Sequence, residues 1–245
     1  MKKVLIIGGT SRIAQETARI FAESGARIVV AARDENKLSN VVWDLQTRGA
    51  DHVFSLTYDA KQISTFHPMI STAIKHLGGL DIVLIAHGLL SARIEDQDNY
   101  EKVNELLGVN GTSVIILVTI LFNIMSKENH GSIAVISSVA GDRGRAQNYV
   151  YGAAKNAVAT FLDGLRQRAA QVGVSILTIK PGIVDTPMTE QIHPHIPKAA
   201  PSLIGKRIFK AISRGEREIY VPWYWRYISL VLKHLPSRIV SCIKY

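Results

Sequence analysis

Four apolar residues, Val4-Leu5-Ile6-Ile7, run directly into Gly8-Gly9-Thr10-Ser11-Arg12-Ile13-Ala14, and this junction constrains the fold more than any other stretch. A short β-branched run without polar alternation is the pattern of a strand buried on both faces. The glycines permit a tight turn, and Ala18, Ile20 and Phe21 beyond it belong to a helix. A strand, a glycine turn and a helix in that order make a phosphate-binding entry, because N–H groups and the helix dipole favour an anion at the helix N-terminus. The same glycines also serve a plain tight turn, so both readings stand at this point.

The alternation repeats along the chain. Arg27 to Ala32 is a second strand, and a helix over about Glu35 to Arg48 follows it. A third strand near His52 to Leu56 leads to Asp59-Ala60 and then to a helix ending about Leu77. Asp81 to Ile85 is a fourth, finishing in Ala86-His87-Gly88, a small tip that lets a ligand approach the backbone. His87 reads either as a catalytic base or as a packed, hydrogen-bonded residue. Ile133 to Ile136 and Val174 to Ile179 complete the set. Such alternation predicts an α/β protein built on a single doubly wound parallel sheet of Rossmann type, with helices on both faces.

With 245 residues, 47% of them hydrophobic and 20% charged, the chain buries a substantial core. No linker-like stretch divides it before about residue 187, so residues 1–222 are expected to form one domain, followed by an aromatic and basic tail over 223–245. The positive start Met1-Lys2-Lys3 precedes an apolar run too short for a signal peptide. Cys242 is the only cysteine, which excludes an internal disulfide and suits a reducing, cytoplasmic setting. A net charge of +9 points to an anionic partner. Basic residues are dispersed and no zinc-finger or RNA-binding signature occurs, so nucleic acid is set aside. His193 and His195 lie in a loop expected to act as a lid, and no cysteine or carboxylate cluster accompanies them, so no metal site is expected.

The chemistry concentrates between Ser137 and Lys155. Tyr151 and Lys155 are four apart in an alanine-rich helical segment, so both project from one face. A nearby ammonium favours the phenolate and is expected to draw the phenol pKa down from about 10. Ser138 follows a buried strand and emerges at its C-terminal end, where open α/β sheets hold their ligands. At the end of the second strand Ala31 and Ala32 precede Arg33 where an acidic residue would hold a ribose 2′-hydroxyl. That arrangement suits a 2′-phosphate and hence NADP(H), with Arg12 a second cation, unless Arg33 simply opens a solvated loop.

With these residues placed, the chain resembles the classical short-chain dehydrogenase/reductase family over about residues 2 to 222. Gly8 to Ala14, including Thr10, Ser11, Arg12 and Ile13, is similar to that family's glycine-rich turn. Asn110, Ser138, Tyr151 and Lys155 match its active-site set, and Pro181-Gly182 with Val184 and Thr186 matches the segment that holds the nicotinamide carboxamide. The resemblance implies hydride transfer between nicotinamide and a ketone or secondary alcohol. Tyr151 would carry the proton, Ser138 polarise the oxygen, Lys155 hold the ribose and Asn110 keep a relay water. Arg33, Asp59, Ala60, Ala86, His87 and Gly88 would line the rest of the cofactor path. Arg12 and Ala14 stand where the family has its second and third turn glycines, and Ile85-Ala86-His87-Gly88 where it often has Asn-Asn-Ala-Gly. Those departures bring the chain nearest to bacterial reductases similar to decaprenylphosphoryl-2-keto-ribose reductase, which act on a sugar carried by a polyprenyl phosphate. A soluble or lipid-like small ketone is the alternative substrate, and an NADP-sensing protein without catalysis the alternative function.

Two apolar stretches remain. Asn99 to Met125 is expected to be too short and interrupted to span a bilayer. It is apolar on most sides, so part of it is expected to meet another subunit of a homo-dimer or homo-tetramer. In the tail, a helix over about Trp225 to Leu235 would set Ile228, Val231, Leu232 and Leu235 on one face, beside Trp223, Tyr224 and Tyr227. Aromatic and basic residues together suit peripheral contact with a membrane, and equally a core or dimer contact.

Overall fold

The computed structural model describes residues 1–90, 94–190 and 197–240. The histidines of the expected lid, Cys242 and the last residues of the tail fall outside them. Seven strands form one parallel sheet in the order β3-β2-β1-β4-β5-β6-β7. They are β1 (Lys3–Ile7), β2 (Arg27–Ala32), β3 (His52–Thr57), β4 (Ile82–Ile85), β5 (Gly131–Ile136), β6 (Val174–Pro181) and β7 (Glu218–Val221). The doubly wound sheet expected from the alternation is therefore present. β7 is an addition: four residues abutting Pro222 give too short an apolar pattern to stand out from the tail.

The helices are α1 (Arg12–Glu23), α2 (Glu35–Thr47), α3 (Phe66–Leu77), α4 (Tyr100–Leu107), α5 (Ser113–Met125), α6 (Tyr149–Ala169), α7 (Pro201–Ser213), α8 (Trp225–His234) and α9 (Ser237–Val240). Alternate strand residues feed two cores, as the period of two in a strand requires. Val4, Ile6, Ile28 and Val30 pack with Phe21, Leu38, Ile204 and Ile208 of α1, α2 and α7. Leu5, Ile7, Val29 and Val83 pack on the other face with Phe66, Ile70, Leu117, Leu121 and Leu162 of α3, α5 and α6.

Two expectations about apolar stretches are corrected. Residues 100–125 form one helical run, long and apolar enough by length and composition to span a bilayer. A five-residue π turn, Gly108–Thr112, joins α4 to α5 without ending the helix. Val114, Leu117, Val118, Leu121, Phe122 and Met125 are buried against the sheet, so this is a core helix, while Ile115, Ile116, Ile120 and Ile124 are only partly covered. In α8 the expected stripe divides. Leu232 turns inward with Ser229, whereas Ile228 and Val231 stay 39% and 59% exposed beside Tyr224 and Tyr227.

Candidate active site

A cleft of about 1610 Å³ runs along the loops that leave the C-terminal ends of the strands. The order of the sheet puts β1 and β4 at its centre, which is the switch point of an open α/β sheet. The turn after β1 depends on Gly8. Its φ is +83°, and a Cβ there would overlap the backbone of Ala86 and His87. Gly8 thus lets the β1 turn lie directly against the tip of β4. The α1 N-cap, Ser11, makes no side-chain cap and no acidic residue occupies the first turn, so the helix end is open to an anion.

On the β2 side of the cleft stand Arg12, Arg33 and Lys37. Arg12 and Arg33 are exposed and make no ion pair among the described residues. Asp34 is committed elsewhere, capping α2 by accepting from the Lys37 amide at 3.0 Å. An open helix N-terminus, a glycine cradle and two uncommitted guanidinium groups fit a phosphorylated dinucleotide, which would supply the hydride. Asp59 and Ala60 line the same side, and Asp59 accepts from the Lys61 amide.

Asn110 sits in the π turn, fully buried. Its carbonyl oxygen accepts from the Leu89 amide at 2.9 Å, and its amide donates to the carbonyls of Leu89 at 2.7 Å and Leu106 at 3.0 Å. The side chain therefore pins the chain just after Gly88 to the helix, a positioning task. Beside it, the Ser113 hydroxyl donates to the Val109 carbonyl at 2.8 Å. His87 Nε2 lies 2.9 Å from the Ser113 hydroxyl oxygen. Burial pulls the His87 pKa down to about 3, with Lys155 and Arg33 adding to the fall. The imidazole is neutral at any ordinary pH, and Nδ1 is buried without a partner. His87 is packed into the wall of the cleft, the hydrogen-bonded alternative of the two readings.

Ser138, Tyr151 and Lys155 meet in the middle of the cleft. The Ser138 oxygen accepts from the Ala140 amide at 3.1 Å and caps the short turn Val139–Gly141. Its neighbour Ser137 fastens β5 to α6, donating to the Lys155 carbonyl at 3.0 Å. Lys155 Nζ donates to the Ile136 carbonyl at 3.0 Å and lies 5.7 Å from the centre of the Tyr151 ring. The expectation that Lys155 lowers the phenol is not met in this state. Burial pushes Tyr151 up to about 12, with the Ser138 hydroxyl opposing it, and pulls Lys155 down to about 8. Tyr151 consequently holds its proton at neutral pH, as a proton donor to a carbonyl oxygen must.

Pro181 at the end of β6 and Val184 beyond it are buried, and Gly182, Thr186 and Met188 line the cleft. The Thr186 amide donates to the Thr189 hydroxyl at 3.3 Å and the Thr189 amide to the Thr186 carbonyl at 2.9 Å, which shapes this segment. A Cβ on Gly182 would overlap the Trp225 indole, so α8 is seated on the segment expected to receive the nicotinamide. On the α6 side the cleft is lined by Arg145, Gln147 and Asn148, and the side-chain amide oxygen of Asn148 is buried without a partner. Those three residues, with Leu89, Leu90 and Trp225, were not legible as site residues, because no local spacing marks them.

A parallel sheet with its cleft at the switch point, and a serine, tyrosine and lysine beneath it, defines a nicotinamide-dependent oxidoreductase architecture. A family model described as short chain dehydrogenase matches residues 2–197. An uncharacterized oxidoreductase of Mycobacterium tuberculosis is 31% identical over 233 residues, covering 95% of this chain and 93% of that protein. An uncharacterized oxidoreductase of Staphylococcus epidermidis is 32% identical over 192 residues, covering 77% and 80%. The 2,5-dichloro-2,5-cyclohexadiene-1,4-diol dehydrogenase LinX of Sphingobium indicum is 29% identical over 203 residues, covering 83% and 81%. A crystal structure from Sinorhizobium meliloti described as a short-chain alcohol dehydrogenase superposes with a TM-score of 0.84 at 20% identity, covering 92% of this chain and 96% of the other. The chain belongs to the short-chain dehydrogenase family and is an oxidoreductase that uses a nicotinamide cofactor.

Proposed function

We propose that the protein is an NADP(H)-dependent reductase acting on a ketone, and that the ketone is a keto-sugar carried on a polyprenyl phosphate. The observation that carries the reading is the composition of the cleft at the C-terminal ends of the strands. Arg12 and Arg33 stand uncommitted on its β2 side, and a protonated Tyr151 stands with Ser138 at its centre. A 2′-phosphate would take the two guanidinium groups, as charge-assisted hydrogen bonds to phosphate favour arginine. In the reducing direction hydride goes to the carbonyl carbon and the Tyr151 proton goes to the oxygen, which Ser138 polarises. Lys155 would hold the ribose hydroxyls, and Asn110 the turn against which the ring lies.

The substrate class rests on the α6 side of the cleft and on α8. Gln147 and Asn148 offer two amides to a polyhydroxylated group, and Leu89, Leu90 and Met188 give it an apolar rim. Trp223, Tyr224, Tyr227, Ile228 and Val231 are exposed on or beside α8, which is seated on Gly182 at the edge of the same cleft. A helix of this kind lies in a membrane interface, and a lipid-borne substrate would meet the site there. The protein would then work on the cytoplasmic face of a membrane, as a homo-oligomer in which the partly covered isoleucines of α5 meet a second copy.

The test is to incubate lipid and soluble extracts separately with the enzyme and labelled NADPH. Label confined to the lipid fraction is the expected result. Label in a soluble ketone would replace the substrate, and oxidation of NADH at equal efficiency would replace the cofactor.

A further inference from the structure

Among the described residues outside the cleft, a network of charge centred on a buried ion pair joins four segments that are far apart in sequence: the loop after Ser138, β6, β7 and α8. Lys180 and the Asp142 side chain are about 5% and 4% exposed. Lys180 Nζ donates to Asp142 Oδ1 at 2.9 Å, to Glu218 Oε2 at 2.8 Å and to the Tyr220 hydroxyl at 3.2 Å, so all three of its donors are used. The Tyr220 hydroxyl in turn donates to Asp142 Oδ2 at 2.9 Å. Lys233 of α8 completes the set, with Nζ 3.0 Å from Asp142 Oδ1. Two ammonium groups and two carboxylates balance, and the lysines hold the Asp142 carboxyl below its usual range although burial opposes them.

The positions of these residues give the network its meaning. Asp142 directly follows the turn that begins at Ser138, and Lys180 directly precedes Pro181-Gly182. The carboxylate therefore ties the serine loop to the segment expected to receive the nicotinamide. Lys233 ties both to α8, and Arg143 adds hydrogen bonds to the carbonyls of Lys233 and Leu235 at the helix C-terminus. From the other end of α8, Trp225 lies on Gly182. We propose that α8 is a positioning element of the active site, and that the Asp142–Lys233 contact sets the separation of the Ser138 loop from the Pro181-Gly182 segment across which the nicotinamide end of the cofactor is held. This rests on the reading of that segment as the nicotinamide site. It extends it by making α8, and whatever α8 docks on, part of cofactor binding.

Lys233 is the residue to change, because its side chain is 41% exposed and its loss spares the buried part of the network. Binding of two probes, NADPH and adenosine 2′,5′-bisphosphate, would be titrated by calorimetry on the whole chain. The second probe has the adenine, the 2′-phosphate and one 5′-phosphate and lacks the nicotinamide half. Lys233→Met is expected to weaken NADPH binding about threefold to tenfold and to leave the bisphosphate within about twofold, as a coupling between contacting groups would. Lys233→Arg should restore NADPH binding, because it restores the cation. Trp225→Phe should likewise weaken NADPH and spare the bisphosphate. NADPH binding unchanged in Lys233→Met, or equal loss of both probes in a destabilised protein, overturns the positioning role. A wild-type protein that binds neither probe removes the cofactor reading, and this role with it.

Discussion

Replacing Lys155 by methionine should make the ligand-free protein more stable while abolishing turnover. Lys155 is 2% exposed, and burial takes its pKa from 10.5 to about 8. Below pH 8 both folded and unfolded chains carry the proton, and folding bears the whole cost of burying the charge, about 3 kcal/mol for that change in pKa. Between 8 and 10.5 the native protein releases its proton while the unfolded chain keeps it, so stability rises with pH and the cost is relieved at the top of that window. Methionine has similar length and no charge to bury. It forfeits the hydrogen bond from Nζ to the Ile136 carbonyl, which offsets about 1–2 kcal/mol. The net gain near neutral pH is then about 1–2 kcal/mol, or a rise of a few degrees in Tm for a chain of this size. Equilibrium urea denaturation at about pH 7 and about pH 10 measures it, and the advantage of the variant should vanish or reverse at the higher pH. A Lys155→Met protein that is less stable than wild type by the same amount at both values would refute the buried-charge cost.

The remaining expectations concern chemistry, cofactor and membrane. Tyr151→Phe removes the proton donor and nothing that binds NADPH, so kcat should fall by about 100-fold or more with NADPH affinity within about twofold; retention of more than a few per cent of activity would sink the assignment. Arg33→Ala should erode a preference for NADPH over NADH by about tenfold, read from the ratio of kcat/KM values, and equal use of both cofactors by the unmodified protein would defeat the role given to Arg33. The protein should float with anionic liposomes at low salt. Tyr227→Ser with Val231→Ser, both exposed on α8, should abolish flotation without lowering Tm, and flotation that survives the pair would place the contact elsewhere.

Much of the fold is legible because a sheet buried on both faces writes itself as uninterrupted apolar runs. Val4 to Ile7, Arg27 to Ala32, Ile82 to Ile85 and Ile133 to Ile136 each carry that mark, and their spacing leaves room for a helix between. Length and context defeat the pattern elsewhere. β7 has four residues, two of them polar or charged at the positions that meet Lys180, so its apolar content is Ile219 and Val221 alone. The run from Tyr100 to Met125 misleads for the opposite reason. Gly108, Asn110 and Gly111 look like an interruption, but a π turn absorbs them, because Asn110 supplies the Leu106 carbonyl with a donor from its own side chain.

The site divides along the same line. Residues that do chemistry are rare types at fixed spacing, and Ser138, Tyr151 and Lys155 arrive together where their numbering suggests, in one cleft with the glycine turn and Arg33. Their charge states were not legible, since a pKa is set by burial, which sequence spacing does not record. A lysine four residues from a tyrosine reads as its activator. In the folded chain that lysine instead donates to the Ile136 carbonyl, and the tyrosine keeps its proton. Still less legible are the groups that hold the reacting ones in place. Asp142, Lys180 and Lys233 are ordinary surface types, and they become a clamp only because the loop after β5, β6 and α8 converge. The same convergence seats Trp225 on Gly182, so a glycine that reads as a cofactor contact also serves as the socket for an indole 43 residues further along the chain.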